Sequence, residues 1–405
     1  MKSSLHLTKC LRVTGEIKGL PSSKSISNRA IALDGLAGFK GNIENLSAAS
    51  DTRLMNELIR EHGKTIDVND AGTTMRFLTA YFSLRNEKKI MTGSDRMKHR
   101  PIGQLVNALR EIGAEIHYLD KEGFPPLELA GFSSQAKSEI SIPGNVSSQF
   151  ISAILMMAPC LPGGLTINIT GEILSKPYID MTVSLMRKWG VIVNESWGSI
   201  QIPNSSYQIT NYSIEPDWSA ASYWFALAAA ADVAEIKIPL LTKESIQGDR
   251  AIVELMEDLG VHAEFSSTQA VLTKKPHQPV VEIDFKNYPD LAQTIIPLAA
   301  IKGIKGTFTG LESLRIKETD RIAALQTELR KIGAELAPVE NHWLLSPSKS
   351  IPQSVTIKTY EDHRMAMGFM PLVTKTNVIF ENPDVVNKSY PEFWKDVKSV
   401  GVLIT

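Results

Sequence analysis

The amino-acid sequence predicts an α/β fold made of several small units with mixed sheets, and three observations support this. The chain has 405 residues and is 43% hydrophobic, which suggests two or three domains at roughly 150 residues each. A pattern of helix, glycine and strand recurs six times. Neither GxGxxG after a strand nor GxxxxGKS/T occurs, so the sequence does not favour a Rossmann or P-loop fold.

Each copy of the pattern is an amphipathic helix that ends at a glycine and precedes an alternating, strand-like segment. Glycine is suited to the left-handed conformation that ends many helices. The spacing is longer than that of a solenoid repeat of roughly 20–50 residues, so we expect three compact α/β units in each of two domains. The six glycines are Gly63, Gly113, Gly190, Gly260, Gly333 and Gly401.

A polar, turn-rich segment at residues 202–222 lies between the third and fourth copies. It is a plausible crossover between two halves of the chain. A cleft between two domains is a favoured position for a small-molecule site, so we expect the functional residues to face such a cleft.

Composition excludes several classes of protein. The 43 Lys+Arg and 44 Asp+Glu residues give a net charge of −1, which argues against a general nucleic-acid binder or a polybasic membrane protein. Cys10 and Cys160 belong to no Cys or His cluster, so neither a disulfide framework nor a zinc site is supported. There is no signal-peptide pattern, and the apolar runs are too short to span a bilayer. We therefore expect a soluble cytoplasmic protein.

The stretch LPSSKSISNRAIALDGL, residues 20–36, places Lys24 and Arg29 close to a predicted helix start. Ser25, Ser27 and Asn28 are candidate N-caps. The helix dipole favours negative charge at this end, so a phosphate or carboxylate site could be built here. The alternative is a capped surface helix with two solvated cations.

Similar arrangements follow along the chain. Asp70 and Gly72 precede a predicted helix that contains Arg76, and glycine would let a ligand approach the backbone. Pro101 is suited to the first position of another helix, and four potential cations crowd before it. Those cations are Arg96, Lys98, His99 and Arg100.

Further candidates offer neutral donors or charged clusters at predicted helix starts. Simple capping, surface ion pairing and core methionines are the alternatives. If several such helices face one cleft, a strongly positive pocket results, and its ligand should carry several negative charges. No metal or organic cofactor is called for. The candidates are Ser147, Ser148, Gln149, Ser175, Lys176, Tyr178, Asp290, Lys317, Glu318, Arg321, His363, Arg364 and Lys388.

Eight motifs occur in the order found in the EPSP synthase family, which the chain resembles from about residue 20 to 390. They are SKSISNRA, AGTTMRFL, RMKHRPI, SSQF, SKPYID, QGDR, RIKETDRI and DHRMAM. The resemblance implies two similar domains of three βαβαββ units each, with the active site in the interdomain cleft. By similarity, the first domain is 21–214, the second is 1–20 plus 215–405, and the crossovers lie near 20 and 214.

The resemblance also implies the reaction. The family transfers the enolpyruvyl group of phosphoenolpyruvate to the 5-hydroxyl of shikimate 3-phosphate, in the shikimate pathway towards chorismate and the aromatic amino acids, and releases phosphate. Asp290 and Glu318 match its two acidic proton-transfer residues, and Lys24 can assist them. No cofactor is implied, and a monomer is expected.

The remaining matches are binding residues. For shikimate 3-phosphate they are Lys24, Ser25, Arg29, Ser147, Ser148, Gln149, Ser175, Tyr178, Asp290, Ser313 and Lys317. For phosphoenolpyruvate they are Lys24, Asp70, Gly72, Arg100, Gln149, Arg321, His363, Arg364 and Lys388.

Some positions depart from the family pattern, and two alternatives stay open. Asp70 and Ser313 each replace an asparagine, and Ser23, Phe77 and Glu361 are also unusual. These changes bear on substrate affinity more than on the type of reaction. The related UDP-N-acetylglucosamine enolpyruvyl transferase typically uses a loop cysteine, which the TGSDRMKHRP segment lacks. The other alternative is a non-catalytic anion-binding relative.

Overall fold

The chain divides into two compact units in a computed structural model that describes residues 3–85 and 87–405. The N-terminal unit comprises Lys24–Ser47 and Asp51–Ile214, and the C-terminal unit comprises Met1–Ser23, Ala48–Ser50 and Glu215–Thr405. None of the helices in this described part is long and apolar enough to cross a membrane.

Short strands supply the sheets of both units. In chain order they are β1 (Ser4–Leu7), β2 (Arg12–Glu16), β3 (Asn42–Glu44), β4 (Thr65–Asp67), β5 (Lys89–Thr92), β6 (Ala114–Tyr118), β7 (Leu127–Phe132), β8 (Glu139–Pro143), β9 (Leu165–Thr170), β10 (Asn194–Ser196), β11 (Ser199–Ile202), β12 (Asn211–Ser213), β13 (Val233–Pro239), β14 (Val261–Phe265), β15 (Gln269–Lys274), β16 (Val280–Asp284), β17 (Lys305–Thr309), β18 (Glu335–Val339), β19 (His342–Ser346), β20 (Ser354–Lys358) and β21 (Asn377–Glu381).

The helices alternate with these strands. They are α1 (Lys24–Leu36), α2 (Ser50–Leu58), α3 (Gly72–Ser83), α4 (Asp95–Lys98), α5 (Gly103–Ile112), α6 (Ser148–Met157), α7 (Lys176–Lys188), α8 (Trp218–Ala230), α9 (Ile252–Leu259), α10 (Ala292–Lys302), α11 (Arg321–Lys331), α12 (His363–Phe369) and α13 (Phe393–Ser399). Short 3-10 turns occur at Ala158–Cys160, Gly248–Ala251, Pro289–Leu291, Glu312–Ile316, Met370–Thr374 and Pro383–Lys388.

Three sheets form in the described part of each unit. The N-terminal unit has sheets β4-β5-β7-β6, β8-β9-β11-β10 and the pair β3-β12. The C-terminal unit has β2-β13-β15-β14, β16-β17-β19-β18 and β1-β21-β20. In the four-stranded sheets two parallel strands are followed by an antiparallel hairpin. The predicted α/β fold of βαβαββ units is confirmed. The pair β3-β12 and the sheet β1-β21-β20 contain fewer strands than the full pattern.

The centre of each unit is filled by helices that are apolar on nearly every side, as expected for helices without a solvent face. In α6 every residue from Phe150 to Met157 is buried, and in α10 every residue from Ala292 to Ile301 is buried. The strands bury alternate residues, as β13 does, and so cover these helices with one face of each sheet.

The predicted helix-ending glycines hold with one exception. Gly113, Gly190, Gly260, Gly333 and Gly401 all have positive φ and follow a helix. Gly63 does not have positive φ, and α2 ends earlier, at Leu58. A residue with negative φ has no need of glycine, so the helical end predicted at Gly63 is wrong.

Candidate active site

Four helices of the N-terminal unit begin side by side. The Arg29 guanidinium on α1 donates from Nη2 to Ser152 Oγ on α6 over 3.2 Å, and from Nε to Thr182 Oγ1 on α7 over 2.6 Å. Each of these residues lies in the second turn of its helix. Gln149 Nε2 donates to Thr73 Oγ1 over 3.1 Å and joins the first turns of α6 and α3. The positive ends of four helix dipoles therefore lie together.

Arg29 is a buried cation without a carboxylate partner among the described residues. Its side chain is 2% exposed, and its remaining bonds go to backbone oxygens, Ser25 O at 3.0 Å and Tyr178 O at 3.1 Å. Burial lowers the pKa of Arg29 to about 10, because the charged form loses hydration that neutral oxygens replace only in part. An anion at this position would restore the lost stabilisation.

Gly72 gives a second arginine access to the start of α3. A Cβ atom at Gly72 would lie 2.7 Å from Arg100 Nη1 and 2.8 Å from Nη2. Arg100 is 7% exposed, donates over 3.4 Å to Asp70 O, and its buried Nε has no partner in the described part of the chain. Arg76 clamps the same region, since its guanidinium donates to Gly72 O and Pro101 O. This arrangement suits a bound anion at the helix start.

The predicted N-caps of helix α1 are wrong. Helix α1 begins at Lys24, so Ser25, Ser27 and Asn28 lie within the helix and do not cap it. Lys24 Nζ contacts Asp51 Oδ2 at 3.2 Å, and Asn28 is buried with neither side-chain polar atom bonded to a described residue.

The predicted proline start is also wrong. Pro101 lies before α5, whose N-cap is Ile102 and whose first residue is Gly103. Arg96 and Lys98 belong to the separate short helix α4. Of the predicted cation cluster, the structure places Arg100 against α3. The His99 ring contacts Asp95 O, and Lys98 pairs with Asp95.

Three predicted serines sit at helix starts without capping them. Ser147 and Ser175 occupy the N-cap positions of α6 and α7, but neither side chain makes a capping hydrogen bond. Ser148 is the first residue of α6. Ser175 has a φ of 56°, which is unusual for a non-glycine residue and often marks a functional position. Capping therefore does not explain the Ser147 and Ser175 hydroxyls, which make no capping bond within the described part of the chain.

In the C-terminal unit, one arginine is held by three carboxylates. Arg321, the first residue of α11, donates from Nε to Asp362 Oδ2 over 2.7 Å, from Nη1 to Asp290 Oδ1 over 3.0 Å and from Nη2 to Glu318 Oε2 over 2.8 Å. The guanidinium is 2% exposed. Because α11 begins at Arg321, Glu318 reaches it from the preceding segment and not from a shared helix face.

Asp290 bridges two arginines. Its Oδ2 accepts from Arg364 Nη2 over 2.8 Å, opposite the bond from Arg321 to Oδ1. Burial acts to raise the pKa of Asp290, but the charges of Arg364, Lys317 and Arg321 outweigh it and hold the pKa below its ordinary value. Asp290 is therefore ionised at neutral pH.

Sequence reasoning missed two residues that position these arginines. Asp362 caps α12 by accepting from Arg364 N over 2.9 Å, and it is fully buried under Arg321. Tyr223 on α8 accepts from Arg364 Nη1 over 3.2 Å. The N-cap signal of an aspartate before a helix could have indicated Asp362. Tyr223 lies in an apolar run, and no local pattern marks it.

The remaining predicted residues take varied positions. His363 is buried at the start of α12, and Lys388 Nζ donates to Glu361 O over 2.9 Å. Ser313 lies in the 3-10 turn before Lys317, and burial lowers the pKa of the Lys317 ammonium. Lys176 pairs with Asp180 on the surface. No grouping of His, Cys, Asp and Glu in residues 3–85 and 87–405 has the form of a metal site.

Comparison with known proteins gives a consistent result. The sequence matches the family model for EPSP synthase (3-phosphoshikimate 1-carboxyvinyltransferase) over residues 7–70 and 62–397. A 3-phosphoshikimate 1-carboxyvinyltransferase of Bacteroides fragilis is 45% identical over 94% of each chain. The enzyme of that name from Vibrio atlanticus is 36% identical over 98% of this chain and 100% of its own.

The fold also matches solved structures. EPSP synthase from Acinetobacter baumannii superimposes with a TM-score of 0.77 over 99% of each chain, at 19% identity. At that identity the likeness concerns the fold alone.

Proposed function

Since the chain belongs to the EPSP synthase (3-phosphoshikimate 1-carboxyvinyltransferase) family, we propose specific roles for its residues in the family reaction. The chain is an enzyme of the shikimate pathway that transfers the enolpyruvyl group of phosphoenolpyruvate to the 5-hydroxyl of shikimate 3-phosphate and releases phosphate. Both substrates are multiply charged anions, which gives a purpose to cations gathered at helix starts in a chain of net charge −1.

In the N-terminal unit, we assign the unpaired Arg29 to the carboxylate of shikimate 3-phosphate. Ser147, Ser148 and Ser175, which lie at helix starts without capping them, bind its phosphate, with Tyr178 beside them. The phosphate oxygens would replace capping bonds that these helix starts lack. Ser25 and Gln149 complete this set.

Phosphoenolpyruvate meets a different part of the same unit in this proposal. Arg100 and the start of α3 at Gly72 bind one of its anionic groups, since the Arg100 Nε has no partner among described residues. Lys24 assists proton transfer and stabilises the departing phosphate. Asp70 accepts a hydrogen bond from Ser94, and its negative charge beside this position should weaken phosphoenolpyruvate binding.

In the C-terminal unit, Arg321, Arg364 and Lys388 are assigned to phosphoenolpyruvate, with His363 beside them. Lys317 and Ser313 are assigned to the phosphate of shikimate 3-phosphate. The guanidinium groups of Arg321 and Arg364 are engaged with Asp290 and Glu318. A substrate anion must therefore displace a carboxylate from them, which releases that carboxylate for proton transfer.

The observation that carries the proposal is the contact of Asp290 and Glu318 with the same guanidinium. Glu318 takes up a proton once a substrate anion has displaced it from Arg321, and it donates that proton to the methylene carbon of phosphoenolpyruvate while C2 accepts the hydroxyl oxygen. Asp290 takes the hydroxyl proton. Its low pKa makes it a weak base while Arg321 and Arg364 hold it. When substrate anions take those guanidinium groups, the buried carboxylate gains basicity. Elimination of phosphate then reverses the proton transfers. Such acid–base help contributes roughly 10²–10⁴-fold.

The decisive experiment is phosphate release by the purified protein with phosphoenolpyruvate and either acceptor. We expect release that requires shikimate 3-phosphate. Release with UDP-N-acetylglucosamine instead would assign the chain to the related transferase. No release with either acceptor, in protein that binds shikimate 3-phosphate, would favour a non-catalytic anion-binding relative.

The proposal includes a monomer that acts in the cytoplasm, where small biosynthetic anions are available. One chain carries every residue assigned above, so no second copy is needed to supply one. Size-exclusion chromatography with light scattering should give a mass near 44.6 kDa. A dimer would contradict the monomer and leave the residue roles unaffected.

A further inference from the structure

A second cationic region lies in the C-terminal unit, at the end of α8 remote from Asp217, its N-cap. A pocket of ≈ 530 Å³ opens beside Ala230, and the residues that line it include Lys274, Lys275, Lys302 and Lys375. Helix α8 has 13 residues, so its two ends are about 20 Å apart. None of these lysines belongs to the residues assigned to the enolpyruvyl transfer.

Two of these lysines donate to backbone carbonyl groups at the end of the helix. Lys302 Nζ donates to Ala229 O over 2.6 Å, and Lys274 Nζ donates to Ala231 O. A lysine ammonium carries three N–H donors, so each keeps two donors beyond its bond to the helix. Lys375 Nζ lies 3.8 Å from Asp232 Oδ1, which exceeds a hydrogen bond.

Positive charge is in excess in this pocket. Burial, followed by the charges of Lys274 and Lys375, lowers the pKa of Lys302 to about 8. Burial and the charge of Lys375 also lower the pKa of Lys274, which Asp232 opposes. Among the described residues, Asp232 is the one carboxylate that lines the pocket, and its side chain is 58% exposed.

Capping of the helix alone does not account for three lysines. One cation near a helix C-terminus is sufficient to complement a partial charge of about −0.5. The fourth lysine that lines the pocket shows the ordinary arrangement, since Lys275 Nζ pairs with Glu257. The cost of gathering three ammonium groups is offset when an anion with several oxygens lies among them.

We propose that Lys274, Lys302 and Lys375 form a binding site for a small polyphosphate anion, distinct from the residues that bind the two substrates. Four or more free N–H donors face a pocket wide enough for a di- or triphosphate group. A monophosphate would bind more weakly because it can engage fewer of the ammonium groups.

Isothermal titration with inorganic tripolyphosphate tests the site, with saturating shikimate 3-phosphate present and phosphoenolpyruvate absent. The Lys302→Gln/Lys375→Gln double variant should bind tripolyphosphate about tenfold more weakly than the unaltered protein, or lose this binding. The matched control Lys395→Gln should change the affinity less than about twofold, because this exposed lysine pairs with Glu392 and does not line the pocket. Both variants should keep the rate of phosphate release with the two substrates.

Three results would overturn the site: no tripolyphosphate binding by the unaltered protein, equal binding by the double variant, or an equal loss in Lys395→Gln. Loss of the Lys302 bond to Ala229 O could disturb folding. The single variant Lys375→Gln therefore repeats the test, since the Lys375 side chain makes no hydrogen bond to the described residues and lies 3.8 Å from Asp232 Oδ1. The enolpyruvyl transfer assay is read separately, so failure of this site and failure of the residue roles above are distinguishable.

Discussion

The two units hold buried arginines at helix starts in opposite ways. In the N-terminal unit, Arg29 and Arg100 donate only to neutral oxygens of the described residues. In the C-terminal unit, Arg321 and Arg364 are bound to carboxylates, and Asp290 is shared between them. Both pairs are less than a tenth exposed.

This difference separates two ways to recognise an anion. A buried guanidinium without a counter-ion is stabilised directly by a bound anion. Until the anion binds, the uncompensated charge lowers the stability of the fold. A guanidinium that is already bound to a carboxylate is stabilised less by the ligand, but the ligand releases that carboxylate. The first arrangement suits binding, and the second suits coupling of binding to proton transfer.

The largest expected effect is on the proton donor. Glu318→Gln keeps the side-chain shape and a hydrogen-bond partner for Arg321 but cannot donate the proton. The rate of phosphate release should fall about 10²–10⁴-fold, with little change in the binding of shikimate 3-phosphate. Stopped-time phosphate assays measure the rate. Glu312→Gln, an exposed neighbour in the preceding 3-10 turn, is the control. A loss of less than tenfold would remove Glu318 from the proposed chemistry.

The comparison itself predicts unequal stability effects. Arg321→Met should lower the free energy of unfolding by about 3–5 kcal/mol, because three carboxylates lose their shared partner. Arg29→Met should cost only about 1 kcal/mol, because removal of an uncompensated buried charge offsets part of the lost hydrogen bonding and Thr182 keeps its bonds to Ser152 Oγ and Tyr178 O. Urea unfolding of both variants checks this. Equal costs would mean that the two buried arginines do not differ as described.

Local sequence patterns predicted the features that depend on neighbouring residues. The helix–glycine–strand endings and the polar helix starts are of this kind, and Gly113 and Gly260 adopt the expected positive φ. The ordered motifs identified the family. Both kinds of signal are visible in one sequence because they depend on residues a few positions apart.

Partners distant in the chain could not be predicted. Tyr223 supports Arg364 across 141 positions, and Thr182 supports Arg29 across 153. Whether a serine caps a helix or a carboxylate pairs with an arginine depends on the packing of other elements. Ser147 shows this, since it has a suitable residue type and position but makes no capping bond.

Asp249, a buried carboxyl group of the C-terminal unit, predicts an effect of pH on stability that is intermediate in size. Burial, together with the charge of Asp290, raises the pKa of Asp249 to about 6. The folded state therefore binds a proton that the unfolded state releases, and stability falls as the pH rises from about 4 to 6. Asp249→Asn, which can still accept from Ser219, should be more stable by up to about 3 kcal/mol above pH 6.

That advantage should shrink towards pH 4, as the wild-type carboxyl becomes protonated. Urea unfolding at pH 4.5, 5.5, 6.5 and 7.5, about one unit apart across the titration, measures it. The exposed Asp258→Asn variant should show no such trend. A constant difference between Asp249→Asn and wild type would show that the carboxylate is compensated at every pH.

The smallest expected effect concerns Arg100, which also has no carboxylate partner among the described residues. In Gly72→Ala the new Cβ would lie 2.7 Å from Arg100 Nη1, so the guanidinium must move. No carboxylate in the described part of the chain holds Arg100 in place, so its displacement acts on the ligand alone. The KM for phosphoenolpyruvate should rise about tenfold, or ~1.4 kcal/mol, and that for shikimate 3-phosphate less than twofold. Gly103→Ala is the control, since Gly103 also begins a helix but its nearest neighbour would be 3.3 Å away. Equal increases for both substrates would instead mean that Gly72 supports the fold of α3 and not a phosphoenolpyruvate contact through Arg100.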